Sequence, residues 1–225
     1  MSIVFRVVCL MLLPLLLACR QQEANSPPPG PAVAQTAAAP APVVLFLGTS
    51  LTAGYGLEPE QAYPALIQAR IDSAGLPFRV INAGVSGETS AGALARTDWL
   101  LRQPFDVLVL ETGANDMLRG AELDSVRSNI QAIVDKVRAA RPETRIVLVG
   151  MMAPPNYGQE YTQRFRGIFP EIAERNDLPL VPFLLEGVGG EARYNLPDGI
   201  HPNAEGQRRV AATVWETLEP VLRTE

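Results

Sequence analysis

Two side chains stand out chemically in this 225-residue chain: a serine in a strand-turn context, Ser50, and the single histidine, His201. Ser50 lies in Gly48-Thr49-Ser50-Leu51, directly after the apolar run Val43 to Leu47. A serine hydroxyl is a weak nucleophile until a neighbouring base takes its proton. A sharp turn after a strand presents such a hydroxyl, and Gly48 leaves it uncrowded. His201 is the one side chain whose ordinary titration range sits near neutral pH, which makes it the candidate base. Asp198 precedes it in Asp198-Gly199-Ile200-His201-Pro202. From a turn, that carboxylate can hold the imidazole in the tautomer whose Nε2 is free to accept a proton. Taken singly, Ser50 also reads as a turn serine capping a helix, and the Asp-x-x-His segment as a solvent-facing turn.

Attack on a carbonyl also needs donors for the oxyanion that develops. Three are available after three successive apolar runs: the Ser50 N–H, the Gly87 N–H in Asn82-Ala83-Gly84-Val85-Ser86-Gly87-Glu88-Thr89, and the Asn115 amide in Gly113-Ala114-Asn115-Asp116. Gly87 and Asn115 have ordinary readings as turn residues. Four separate loops, each offering a needed group in order, carry the case for acyl transfer. A base that must be neutral implies a rate that falls as pH drops through the ordinary histidine range, about 6.5.

Composition excludes other chemistries. One histidine and two cysteines, Cys9 and Cys19, rule out a multi-histidine zinc site, and at most one disulfide is possible. The balance of 19 basic against 24 acidic residues leaves no basic footprint for nucleic acid. No metal or organic cofactor is called for.

The elements that must position these groups alternate along the chain. Residues 43–47, 78–81, 105–110 and 146–149 read as strands, with a weaker fifth at 180–182, and several are apolar on both faces as covered parallel strands must be. Helical spacing relates Val126, Ile130, Ile133, Val134 and Val137, then Tyr161, Phe165, Ile168, Phe169 and Ile172, then Val210, Val214 and Leu218. Pro202 suits the first turn of that last helix. The alternation predicts an α/β fold, a three-layer α/β/α doubly wound sheet of about five parallel strands, with the chemistry at the carboxyl ends of the strands.

Residues 1–18 read differently. Arg6 followed by an apolar run too short to span a bilayer has the form of a signal peptide. It ends on Leu16-Leu17-Ala18-Cys19, which resembles the bacterial lipobox, so Cys19 is expected to carry lipid and begin the mature chain, with a plain secretory peptide as the alternative. Residues 20–42, rich in Pro and Ala, form a tether that would reach roughly 70 Å at about 3.1 Å per residue. The mature chain then has 18 basic and 24 acidic residues, a charge of −6.

From Val43 to the last helix the chain resembles the SGNH or GDSL family of serine esterases, and within it the bacterial thioesterase I, lysophospholipase L1 and arylesterase group. Gly48-Thr49-Ser50-Leu51 is similar to the GDSL block, the segment ending at Thr89 to the second block, Gly113-Ala114-Asn115-Asp116 to GxND, and Asp198 to Pro202 to DxxHP. The resemblance implies a flavodoxin-like SGNH hydrolase fold over residues 43–225, an Ser50, Asp198 and His201 triad, and an oxyanion hole of Ser50, Gly87 and Asn115. Thr49 stands where the family name places aspartate, so retained activity with an altered local hydrogen-bond network or pH profile is expected. The implied substrates are small or medium acyl and aryl esters, acyl thioesters and lysophospholipids. The alternatives are a carbohydrate O-acetyl esterase or a silent anchored binding domain. Met117, Leu118, Pro154 and Tyr157 are candidates for the acyl site, although each also reads as packing. Arg20, in place of an aspartate after Cys19, favours an outer-membrane anchor on the periplasmic side.

Overall fold

The computed structural model describes residues 40–224; the leader, Cys19 and most of the tether lie outside the described residues. Five strands make one sheet: β1 Val43–Gly48, β2 Arg79–Gly84, β3 Val107–Glu111, β4 Arg145–Val149 and β5 Leu180–Val181. Every pairing is parallel, and the order is β2-β1-β3-β4-β5. Every residue of β1 and β3 is buried, which requires cover on both faces and explains why those runs carry no alternation.

The cover comes from helices α1 Ser50–Ala53, α2 Tyr63–Ser73, α3 Ser90–Leu100, α4 Ala114–Leu118, α5 Leu123–Ala140, α6 Gln159–Arg175 and α7 Ala204–Arg223. Strand order and handedness divide the long ones. The chain steps from β1 to β2 in one direction and from β2 through β3 and β4 to β5 in the other. Right-handed crossovers therefore place α2 on one face and α3, α5 and α6 on the opposite face. The contacts agree: α2 packs on α7, whereas α3 packs on α5 and α5 on α6. Val126, Ile130, Ile133, Val134 and Val137 of α5 are all buried, as are Phe165, Ile168, Phe169 and Ile172 of α6 and Val210, Val214 and Leu218 of α7.

The direction of the chain reverses between β1 and β3. At such a point the loops leaving neighbouring strands splay apart and open a crevice at the carboxyl edge. The loops after β1, β2 and β3 are those that carry Ser50, Gly87 and Asn115.

The strand ends differ from expectation by one to three residues, and two differences bear on the site. β2 continues through Asn82-Ala83-Gly84, which pair with Phe46, Leu47 and Gly48, so part of the expected loop is sheet. Pro202 lies before the helix and bridges Asn195; the cap of α7 is Asn203, whose side-chain oxygen accepts the Glu205 and Gly206 N–H groups. Asn203 also donates from its amide to Arg193 O at 2.9 Å, and its N–H reaches Tyr194 O at 2.8 Å. With Leu196 N–H on His201 O at 2.7 Å, these bonds close residues 196–201 into a short loop held against the start of α7. Asn203→Ala removes the cap and one closure of that loop together. We expect it to cost about 1–2 kcal/mol in urea unfolding.

Candidate active site

Ser50 opens α1 immediately beyond β1, and its Oγ lies 2.9 Å from His201 Nε2. His201 Nδ1 lies 2.8 Å from Asp198 Oδ2. The other oxygen of Asp198 accepts the Ile200 N–H at 2.9 Å and the His201 N–H at 3.0 Å. One carboxylate thus folds the loop and orients the ring at once. The His201 N–H, then the imidazole, then the Ile200 N–H hold the Asp198 carboxyl at about 2, below the ordinary carboxylate range. Its stabilising contribution is full above about 3.9 and is lost as pH falls toward about 2. The imidazole therefore keeps an ionised partner throughout the range in which a histidine titrates. Tyr55 lies against the imidazole with ring centroids 4.4 Å apart, while remaining half exposed.

The expected oxyanion donors meet through hydrogen bonds between their loops. No acceptor among the described residues takes the Ser50 or Gly87 N–H. Gly87 adopts φ +79°, a left-handed conformation that side chains resist. The Val85 N–H donates to Gly48 O at 2.8 Å, laying the second loop against the nucleophile turn. Asn115 Nδ2 donates to Glu88 O at 2.9 Å, which fixes the amide and leaves its other N–H available. Asp116, next in the motif, is buried and accepts the Ser90 N–H at 2.7 Å and the Ser90 hydroxyl at 2.6 Å, anchoring the start of α3.

Beneath Ser50 lies a group that motif spacing did not point to. Glu111, the last residue of β3, is fully buried. Its carboxyl accepts the Thr49 N–H at 2.7 Å, the Thr49 hydroxyl at 2.9 and 3.0 Å, and the Thr52 hydroxyl at 2.8 Å. Thr52 in turn meets the Tyr63 hydroxyl at 2.8 Å. Burial pushes the Glu111 carboxyl up, and these donors pull against that shift. Burial, and then Glu111, push the Tyr63 phenol up as well. Gly48 owes its identity to this cluster: a Cβ there would come within 1.9 Å of Thr52 Oγ1 and 2.7 Å of Glu111 Oε2. The need is close packing below the turn and not the uncrowding of Ser50 expected from sequence. The available signal was an acid closing an otherwise apolar strand.

The acyl-site candidates separate. Met117 is core, 5% exposed, so it has no open face to offer a ligand. Leu118 and Pro154 are exposed, and Tyr157 is half-buried, stacked on Tyr161 with centroids 5.6 Å apart. Tyr55, Val85 and Ile200, exposed large apolar side chains on the loops of the triad and oxyanion donors, belong with Leu118, although no motif marks them.

Thr49→Asp sets a second carboxyl against Glu111, with which no cation pairs among the described residues, so the two must share a proton. We expect a lowered melting temperature that falls further between pH 5 and pH 8 as that proton is lost. Thr49→Val leaves Glu111 short of one donor and should cost about 1–3 kcal/mol. Both should keep measurable turnover, since neither touches the triad. Melts at the two pH values with parallel rate measurements check this, and a Thr49→Asp rate orders of magnitude above wild type contradicts it.

Known proteins carry the same arrangement of sequence and fold. Esterase TesA of Pseudomonas aeruginosa is 40% identical over 188 residues, covering 83% of this chain and 92% of that protein. Thioesterase 1/protease 1/lysophospholipase L1 of Escherichia coli K12 is 38% identical over 187 residues, covering 82% and 87%. The crystal structure of the psychrotrophic esterase EstA from Pseudoalteromonas sp., inhibited by monoethylphosphonate, superimposes with a TM-score of 0.75 at 34% identity, covering 81% of this chain and 99% of that one. Residues 46–209 match the GDSL-like lipase/acylhydrolase family, to which the chain belongs as an ester-hydrolysing enzyme.

Proposed function

We propose that the chain hydrolyses carboxylic esters and thioesters through an acyl-enzyme on Ser50. The carrying observation is the unbroken hydrogen-bonded line from Ser50 Oγ through His201 to the Asp198 carboxylate. Ser50 Oγ bonds to the carbonyl carbon while His201 Nε2 takes its proton, and the carbonyl electron pair moves onto oxygen. The Ser50 and Gly87 N–H groups and the Asn115 amide receive that oxyanion. Its collapse expels the alcohol or thiol, which leaves with the proton held on His201. Water, activated by the same imidazole, then releases the acid.

Substrates with apolar acyl or aryl groups fit best. Among the described residues, four of the five exposed large apolar side chains, Tyr55, Val85, Leu118 and Ile200, sit on the loops that carry Ser50, Gly87, Asn115 and His201. Such a rim favours hydrocarbon over a sugar face.

An active-site fluorophosphonate tests the chemistry. It should label wild type, fail on Ser50→Ala and label His201→Ala slowly; folded wild type that takes no label sinks the reading. Asn115→Ala should lower kcat about 10²–10³-fold with the label retained. Among substrates, p-nitrophenyl hexanoate should be hydrolysed at least as efficiently as the acetate, and acetylated xylan poorly. Preference for the xylan would move the assignment to polysaccharide O-acetyl esters.

We propose further that Cys19 is lipidated after removal of residues 1–18, so that the domain works on a tether at the cell envelope, with the outer membrane favoured. The lipobox-like Leu16-Leu17-Ala18-Cys19 and the Pro/Ala segment support this. Wild type should partition with membranes and Cys19→Ala should not. Equal partitioning of the two speaks for another mode of attachment.

A further inference from the structure

The Gly87 donor is carried by a loop that looks poorly secured. Val85 and Ser86 are exposed, and only short turns connect β2 to α3. A donor that must already be in place when charge develops cannot sit on a wandering loop. Beyond the Val85 N–H on Gly48 O, the structure supplies side-chain restraint, chiefly through the guanidinium of Arg96. Arg96, on α3, donates from Nε to Glu88 Oε1 at 2.6 Å and from Nη2 to Glu88 Oε2 at 2.7 Å. The same Nη2 reaches Ala83 O at 2.7 Å, near the end of β2, and Gly48 O at 3.4 Å, two residues before Ser50. Both side chains are largely withdrawn from water, with 19% exposure for Arg96 and 9% for Glu88. A two-point guanidinium-carboxylate contact fixes direction as well as distance.

Glu88 follows Gly87 directly, and its carbonyl accepts the Asn115 amide. The residue that Arg96 immobilises therefore neighbours one oxyanion donor in the chain and orients a second by hydrogen bond. The reach to Gly48 O ties the same frame to the turn of the third donor. Arg119 closes the outer side, donating from Nη2 to Gly87 O at 2.8 Å.

We infer that Glu88 and Arg96 form a positioning clamp that holds Gly87 and Asn115 in register with Ser50. Neither residue need touch substrate. The inference rests on the acyl-transfer reading above, because it concerns groups that act when the oxyanion forms. An ordinary structural ion pair would show in thermal stability and leave turnover per intact site alone. A clamp of transition-state donors shows in kcat.

The test compares wild type with Arg96→Lys, which keeps the charge but loses the planar fork, and with Glu88→Gln, which keeps the shape but loses the charged acceptor. Active sites are counted with the fluorophosphonate, so unfolded protein does not enter the rate. An alkyl trifluoromethyl ketone serves as the transition-state probe: Ser50 Oγ adds to its carbonyl carbon, the Ser50 proton passes to His201 and the carbonyl oxygen becomes the oxyanion. We expect kcat per labelled site to fall about 10–100-fold with KM within threefold, the scale of displacing reacting groups by about an ångström. The ketone inhibition constant should rise in step with the loss of kcat/KM. Turnover per site within twofold of wild type in both variants overturns the clamp. So does a fall in kcat with ketone affinity unchanged, or a loss confined to KM. If Arg96→Lys does not fold, Glu88→Gln decides alone. Wild type that takes no label defeats the acyl-transfer reading and the clamp with it, whereas labelled variants with unaltered turnover defeat the clamp alone.

Discussion

The position of the nucleophile depends on a carboxyl that never meets solvent. Glu111 ends β3 in the middle of the sheet and collects one N–H and two hydroxyls from the turn above it. A buried carboxyl is costly unless donors meet it, and here every donor comes from Thr49 or Thr52, on either side of Ser50. The group that needs satisfying and the turn that needs fixing therefore solve each other's problem. Gly48 must lack a side chain for the carboxyl to come so close. From Thr52 the network passes to the Tyr63 hydroxyl, the Tyr63 N–H binds Gln207 Oε1 at 2.8 Å, and Gln207 Nε2 returns to Leu51 O at 3.3 Å. The nucleophile turn is thereby braced by β3, α2 and α7 together.

The base arrives from the far end of the chain by a different device. Some 150 residues separate Ser50 from His201. The link is α7, which carries Gln207 under the Ser50 turn and the Asp198–His201 loop at its amino end. Asn203 caps that helix and closes the loop with the same side chain. Because the helix is clamped on both sides of its first turn, the 2.9 Å contact between Ser50 and His201 follows from main-chain placement and does not rely on long flexible side chains.

Much of this was legible in the sequence, and the gaps have physical causes. Strands β1, β3 and β4 read as continuous apolar runs because both of their faces are covered. β2 is an edge strand with partly exposed residues, so its last three residues look like loop. Helices α5, α6 and α7 carry broad apolar stripes; α3 buries Ser90, Ala93 and Thr97 along with Leu100, small or polar residues that leave little periodic signal. The motif residues Ser50, Gly87, Asn115, Asp198 and His201 could be named because their side chains or conformations are individually unusual at those spacings. Glu111 and Arg96 could not, since what they do is set by partners 59 to 62 residues away in one case and by two carbonyls brought together by sheet pairing in the other.

Thr49 shows how the two levels combine. By family likeness it is a departure, a neutral residue where an acid is usual. In the structure it contributes both its N–H and its hydroxyl to a buried acid. A hydroxyl donates without bringing charge, so the threonine satisfies Glu111 with no proton to be shared and no titration of its own beside the nucleophile. The cost of the substitution is therefore confined to the layer below the turn. Ser50, His201 and Asp198 lie above it and take none of their hydrogen bonds from Thr49. The brace below the turn and the triad share no hydrogen bond; the backbone of residues 49 and 50 and the first turn of α7 join them, which is why one can vary in composition while the other keeps its geometry.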